Sequence, residues 1–176
     1  MKKKPEKPNC MHCGKISRLT DGFEVYPHRR DLHEKSFYVC TGCESRVGCH
    51  PGSVIPLGRP ANAALRIERS KTHAVIDPFW KQAPNLPCYG KDLPRKARAA
   101  IKAKARNRIY KFLRREMKIT AEEAHIGMFD VDQCRAARAL FYNITYEQIR
   151  EMDIKAKEAE HGKNSGTAKP VESNGG

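Results

Sequence analysis

Two Cys-x-x-Cys pairs, "CMHC" at 10–13 and "CTGC" at 40–43, constrain this chain more than any other feature. A two-residue spacer lets a tight turn aim two sulfurs at one ion, and Zn2+ favours four soft ligands in a tetrahedron. Gly14 directly follows the first pair, where a metal knuckle needs unusual backbone angles. The interval between the pairs holds "FEVY" and "SFYVC", short apolar-aromatic runs that read as strands. Two knuckles around a small antiparallel sheet make a zinc ribbon, with Cys10, Cys13, Cys40 and Cys43 as ligands of Zn2+. A four-thiolate site is closed to water, which argues for a scaffold rather than a catalytic metal. The competing readings of these cysteines are a thioredoxin-type redox pair and a rubredoxin-like iron site.

The chain carries seven cysteines in all, an odd number, and "MKKKPEKPNC" has no apolar stretch behind its basic start. Metal-bound thiolates in a reducing compartment therefore fit better than a secreted disulfide framework. No run approaches the length of a membrane span. Cys49 and His50 could replace a nominal ligand or join His28 or His33 in a second site, although adjacent side chains diverge in an extended backbone.

Charge is the second constraint. The 176 residues hold 34 Lys or Arg against 20 Asp or Glu, a net +14, with 7% aromatics. That excess attracts polyanions, of which nucleic acid is the commonest; an acidic protein or an anionic membrane surface satisfies the same physics. It is concentrated between Lys91 and Lys118, where 12 Lys or Arg face only Asp92 and Glu116, a net +10. Within this stretch Ile101, Ala105, Ile109, Phe112, Leu113 and Met117 recur at helical steps, which predicts an amphipathic helix with a basic outer side. Its candidate nucleic-acid contacts are Arg98, Lys102, Arg106, Arg108, Lys111 and Arg115. On the ribbon, "YPHRRDLHEK" offers His28, Arg29 and Arg30 as a secondary phosphate clamp, since guanidinium forks match phosphate oxygens. Such contacts position a protein without reading sequence.

The rest of the chain sets the domain plan. A basic N-terminus (1–8) precedes the zinc-ribbon-like module (9–58). A helical segment (59–80), capped by Asn62 and ended or bent by Pro78, packs on the ribbon through Ala64, Leu65, Ile67, His73, Ala74 and Ile76. A turn-rich loop (81–94) carries Cys88 as an exposed thiol. The basic helix opens a helical region (95–161) that continues as three shorter helices, with capping boxes at Thr120/Glu123, Asp130/Gln133 and Thr145/Gln148. Cys134, Ala137, Leu140 and Phe141 form a buried stripe there. The polar tail (162–176) is expected to be disordered. The fold class is α+β, a small zinc ribbon against an α-helical C-terminal region.

The ordered string "CMHCG", "HRRDLHEKSFYVC", "VGCHPG", "PLGRPANAALR", "THAVIDPFW" and "HIGMFD" with Cys134 resembles a zinc-finger-containing domain family of bacteriophages and prophages. The resemblance spans residues 9–140. It maps the family's zinc cysteines onto Cys10, Cys13, Cys40 and Cys43. Other characteristic positions fall on His28, Arg29, Arg30, Asp31, Cys49, His50, Pro51, Gly52, His73, Asp77, Trp80, His125, Gly127 and Asp130. The segment after Trp80 is longer and more basic than the family pattern, and Cys88 has no counterpart in it. The resemblance implies a viral or prophage origin and a zinc-held fold, but no established reaction; the expected location is the cytoplasm of the bacterial host. The function expected is non-enzymatic nucleic-acid binding, to DNA rather than RNA. The alternatives are a module that inhibits or redirects a host protein, or a nuclease built on His28, Asp31, His33 and His50.

Overall fold

The computed structural model describes residues 6–164, so the extreme N-terminus and the tail expected to be disordered beyond 164 lie outside the described residues. The chain forms two compact units. One comprises Met1–Pro78 with Leu113–Tyr142, the other Phe79–Phe112 with Asn143–Gly176.

The first unit contains a three-stranded antiparallel sheet in the order β1 (Ser17–Asp21), β2 (Ser36–Cys40), β3 (Arg46–Gly48). Ser17 pairs with Cys40 and Asp21 with Ser36, while Phe37 pairs with Gly48. This register places Cys40 at the end of β2, where the chain leaves the sheet into the second Cys-x-x-Cys turn. "SFYVC" is the strand that its pattern predicts. "FEVY" is not: Asp21 accepts a hydrogen bond from the Glu24 amide at 3.0 Å and starts a one-turn helix, α1 (Gly22–Val25). The local side-chain cap wins over the β-propensity of three residues.

Helix α2 (Ala63–Lys81) is capped by Asn62, whose Oδ1 accepts from the Leu65 amide at 2.9 Å. The helix continues through Pro78, which leaves the bend of the two alternatives and excludes the end. One expectation for this helix is corrected. Its buried stripe is Leu65, Arg69, Thr72 and Ile76, whereas Ala64, Ile67, His73 and Ala74 are exposed. Arg69 reaches the core because its Nε and Nη1 donate to the carbonyls of Phe129 (2.9 Å) and Arg59 (2.8 Å). Thr72 donates back to the Glu68 carbonyl at 2.9 Å. Hydrogen bonds to backbone acceptors are what permit polar groups to be buried.

Of the three helices expected after the basic one, the first is absent. The Thr120/Glu123 box forms both its bonds, yet it closes only a turn. The other two are α4 (Val131–Leu140), with a complete Asp130/Gln133 box, and α5 (Tyr146–Asn164), with the Thr145/Gln148 bonds. Helix α5 thus covers the first residues of the expected tail. Cys134, Ala137 and Phe141 are buried as the stripe predicts, whereas Leu140 is half-exposed. Arg138 ties α4 to α2 through Glu68, at 2.7 Å.

A tight backbone approach joins the ribbon's exit to the "HIGMFD" segment. The Arg59 amide donates to the Gly127 carbonyl at 3.0 Å. A Cβ on Gly58 would lie 2.1 Å from that carbonyl oxygen, and one on Gly127 would lie 2.3 Å from the Leu57 oxygen. Both glycines are there for space, which no side chain allows.

In the second unit, α3 (Arg95–Met117, its last turn belonging to the first unit) and α5 bury Ala105, Ile109, Phe112 and Ile149. Segment 81–94 folds into two short 3-10 turns, Ala83–Asn85 and Pro87–Tyr89, and carries Cys88 exposed.

Candidate metal centre and basic surface

The four cysteines meet at one point. Their Sγ atoms lie 3.4 Å apart for Cys10–Cys43, 3.4 Å for Cys13–Cys40 and 3.5 Å for Cys13–Cys43, and all four fall within 4.8 Å of one another. Sulfurs about 2.3 Å from a shared zinc would be separated by about 3.8 Å, whereas a disulfide needs about 2.05 Å. The spacing is close to that of a tetrahedral cage and too wide for disulfides.

The two knuckles repeat one local design. The Cys10 amide donates to the Lys15 carbonyl (2.9 Å), and the Cys40 amide to the Ser45 carbonyl (2.7 Å). The amide two residues after each leading cysteine points at its sulfur, His12 N at Cys10 Sγ and Gly42 N at Cys40 Sγ, both 3.3 Å. The residue after each second cysteine is left-handed, Gly14 at φ 73° and Glu44 at φ 58°. Glycine takes that conformation without cost; Glu44 does not.

Amide and hydroxyl donors favour thiolates here. Ser45, through its hydroxyl and its backbone, pulls the Cys43 thiol down to about 6. At Cys13 the Lys15 backbone works in the same direction, but the neighbouring thiols of Cys40, Cys43 and Cys10 together with burial outweigh it and push the group up to about 12. Four crowded sulfurs cannot all ionise by themselves, and a divalent cation removes that repulsion. The donor set therefore fits Zn2+, which would be held by Cys10, Cys13, Cys40 and Cys43 and would supply charge neutralisation and a four-point tie.

Among the described residues no other group of three or more His, Cys, Asp or Glu gathers as metal ligands would. Cys49 and His50 instead line a groove of about 1090 Å³ with Asp31, Glu34, Phe37 and Leu57. His33 Nε2 lies 3.0 Å from the Pro27 carbonyl and its ring meets Phe23 edge-on. His73 pairs with Asp77 at 3.2 Å.

The candidate phosphate contacts divide in their placement. His28, Arg29 and Arg30 are exposed on the ribbon loop. Arg29 forms a two-pronged pair with Asp31, Nε–Oδ1 and Nη2–Oδ2 both at 2.8 Å, which holds the Asp31 carboxyl down at about 2. On α3, Arg106 and Lys111 are exposed and Arg98 and Lys102 half-buried. Arg115 is exposed and bonds Glu116 at 2.7 Å.

Arg108 departs from the surface role expected of it, because it is buried. It donates to Asp153 (3.0 Å), the Tyr89 hydroxyl (3.2 Å) and the Tyr146 hydroxyl (3.1 Å). Burial opposes its charge, but Tyr146 and Asp153 raise its pKa overall. Its place was hidden because polar residues on a helix are read as outward-facing. The signal that could have found it is its three-residue step from Ala105 and its one-residue step to Ile109.

Fold and site together define a small cysteine-ligated zinc module, and residues 6–87 match the family model of a zinc-finger-containing domain. The match contains all four cysteines and ends in the turn after α2, short of the basic helix. No curated protein and no solved structure matches the chain. No described helix is long and apolar enough to cross a membrane.

Proposed function

We propose that this is a zinc-stabilised, non-enzymatic nucleic-acid-binding protein of phage or prophage origin, acting in the cytoplasm of the bacterial host. It grips the phosphate backbone, of DNA in preference to RNA. The observation that carries this reading is the charge of α3: its exposed side presents Lys96, Lys104, Arg106, Lys111 and Arg114 around a buried strip of Ala105, Ile109, Phe112 and Leu113. A polyanion is the ligand that such a face attracts most strongly. His28 and Arg30 on the ribbon loop add secondary contacts, and Arg29 joins them when phosphate displaces Asp31. The four-thiolate site serves as scaffold.

Fluorescence anisotropy of the zinc-loaded protein with labelled DNA and RNA, over a salt series, tests this. Binding should be tight at low salt and weaken steeply, with a log–log slope of about −4 or steeper for five neutralised phosphates. Failure to bind at low salt would overturn the reading.

A second reading, a module that engages a host protein, is favoured by the ribbon groove, where Leu57 is 50% and neighbouring Ile55 54% exposed. Exposed apolar groups beside a groove suit a protein partner. A host complex that survives moderate salt would support that reading over the first.

A further inference from the structure

The second unit keeps two aromatic rings out of its core and surrounds them with cations. Trp80, the sole tryptophan of the sequence, and Tyr110 are both half-exposed. The Arg106 guanidinium lies 4.9 Å from the centre of the Tyr110 ring and 6.0 Å from that of Trp80. Nζ of Lys81, the next residue in the chain, stands 5.3 Å from the centre of the Trp80 ring. Arg98, Lys102, Arg106 and Tyr110 follow one another at four-residue steps on α3. They therefore share one ridge, with successive members about 6 Å apart along the axis.

We propose that Trp80 and Tyr110 are a stacking platform for the bases of single-stranded nucleic acid, and that the ridge of Arg98, Lys102 and Arg106 receives its phosphates. This rests on the nucleic-acid reading above and adds the form of the ligand. Basic residues alone would serve a duplex as well as a single strand. Half-exposed rings among those residues can stack with a ligand whose base faces are uncovered, and a duplex hides them in its own stack. Rings interleaved with cations along a track are the general means of holding single strands without reading their sequence, because every base has a π-face. The guanidinium now beside the rings is no obstacle. A solvent-exposed cation–π contact is weaker than a stacked base, so a base can replace Arg106 and leave it to the phosphate.

Because Trp80 is the only tryptophan, its emission reports the platform directly in the unaltered protein. The zinc-loaded full chain would be titrated with unlabelled oligothymidine, oligouridine and a duplex of equal phosphate content, and binding followed in parallel by anisotropy of labelled strands. We expect both single strands to quench Trp80 emission and to bind about tenfold more tightly than the duplex, which should bind with little quenching. Tyr110→Leu, which leaves the reporter in place, should weaken single-strand binding by about tenfold and duplex binding by less than about twofold. Binding without any change in Trp80 emission would overturn the platform while leaving the nucleic-acid reading standing. Equal affinity and equal quenching by the duplex would overturn the single-strand assignment. Absence of binding to any of the three would overturn the platform together with the reading beneath it.

Discussion

The ribbon and the second unit solve the problem of a small core in different ways. The ribbon buries few apolar side chains, chiefly Phe37 and Tyr38, and places four sulfurs at the end of the sheet where Ser17 pairs with Cys40, so that a metal can join the two knuckles. The second unit buries Ala105, Ile109, Phe112 and Ile149, and adds a polar network in which Arg108 contacts Asp153, Tyr89 and Tyr146. Residues of the reactive kind, cysteine in one region and arginine in the other, are thus structural in both. Charge density in a sequence overstates the charge that remains on the surface.

The widest separation between the regions should come from removing the metal site. Cys10→Ser or Cys40→Ser, or a strong chelator, should abolish zinc binding and unfold the ribbon, because structural zinc affinity of roughly 10–16 kcal/mol in finger peptides is folding free energy. Helical circular dichroism should largely persist. Unchanged zinc content by atomic absorption, or unchanged melting, would remove the four-thiolate assignment.

Arg108→Ala is the counterpart in the second unit. It removes the buried charged donor of Asp153, Tyr89 and Tyr146, leaves Asp153 to Lys157 at 2.8 Å, and should cost about 1.5–3 kcal/mol by urea unfolding. Lys104→Ala, at an exposed position of the same helix, should change stability by less than about 0.5 kcal/mol. Equal effects of the two would mean that Arg108 is not a core residue.

Acid should separate the regions in order. Protons compete with metal for thiolates, so the ribbon should release zinc first as the pH falls. At Asp153, burial acts to raise the pKa, but Lys157 and Arg108 prevail and depress it. A carboxyl depressed on folding gives stability that is present above its unfolded value, about 3.9, and lost as the pH drops through the lower folded one. The second unit should therefore hold until well below the pH of zinc release. A single joint transition, monitored by zinc release and helical dichroism together, would contradict this ordering.

The smallest expected effect lies on the ribbon loop. Asp31→Asn removes one negative charge and releases the fork of Arg29, so affinity for DNA should rise by roughly two- to fivefold at low salt. A fall in affinity would exclude the loop from contact with phosphate.

Much of this architecture is legible in the sequence where the physics is local. Cys-x-x-Cys spacing fixes the geometry of a knuckle. Thr120/Glu123, Asp130/Gln133 and Thr145/Gln148 each form their reciprocal bonds because a capping box needs only four residues. Legibility fails where a distant partner decides. Arg69 and Thr72 face inward because the Phe129 and Cys134 carbonyls await them, 60 and 62 residues away. Arg108 is buried because Asp153 lies opposite, 45 residues on. The Gly58–Gly127 approach has no trace in either segment alone. On the candidate site, the cysteine cluster was readable from spacing, whereas the pairing of Arg29 with Asp31 and the setting of Trp80 beside Arg106 depend on side-chain geometry.

The proposed division of labour, with zinc holding the fold and α3 holding the ligand, is tested most directly by one variant. Lys96, Lys102 and Lys104 would be changed together to alanine, and DNA affinity measured across salt beside zinc content and melting temperature. We expect zinc content and melting to stay as in the parent, affinity to fall by more than about tenfold at low salt, and the log–log slope to become shallower by roughly 3. Unchanged affinity and slope in a folded, zinc-loaded variant would contradict the assignment of α3 as the nucleic-acid-binding face.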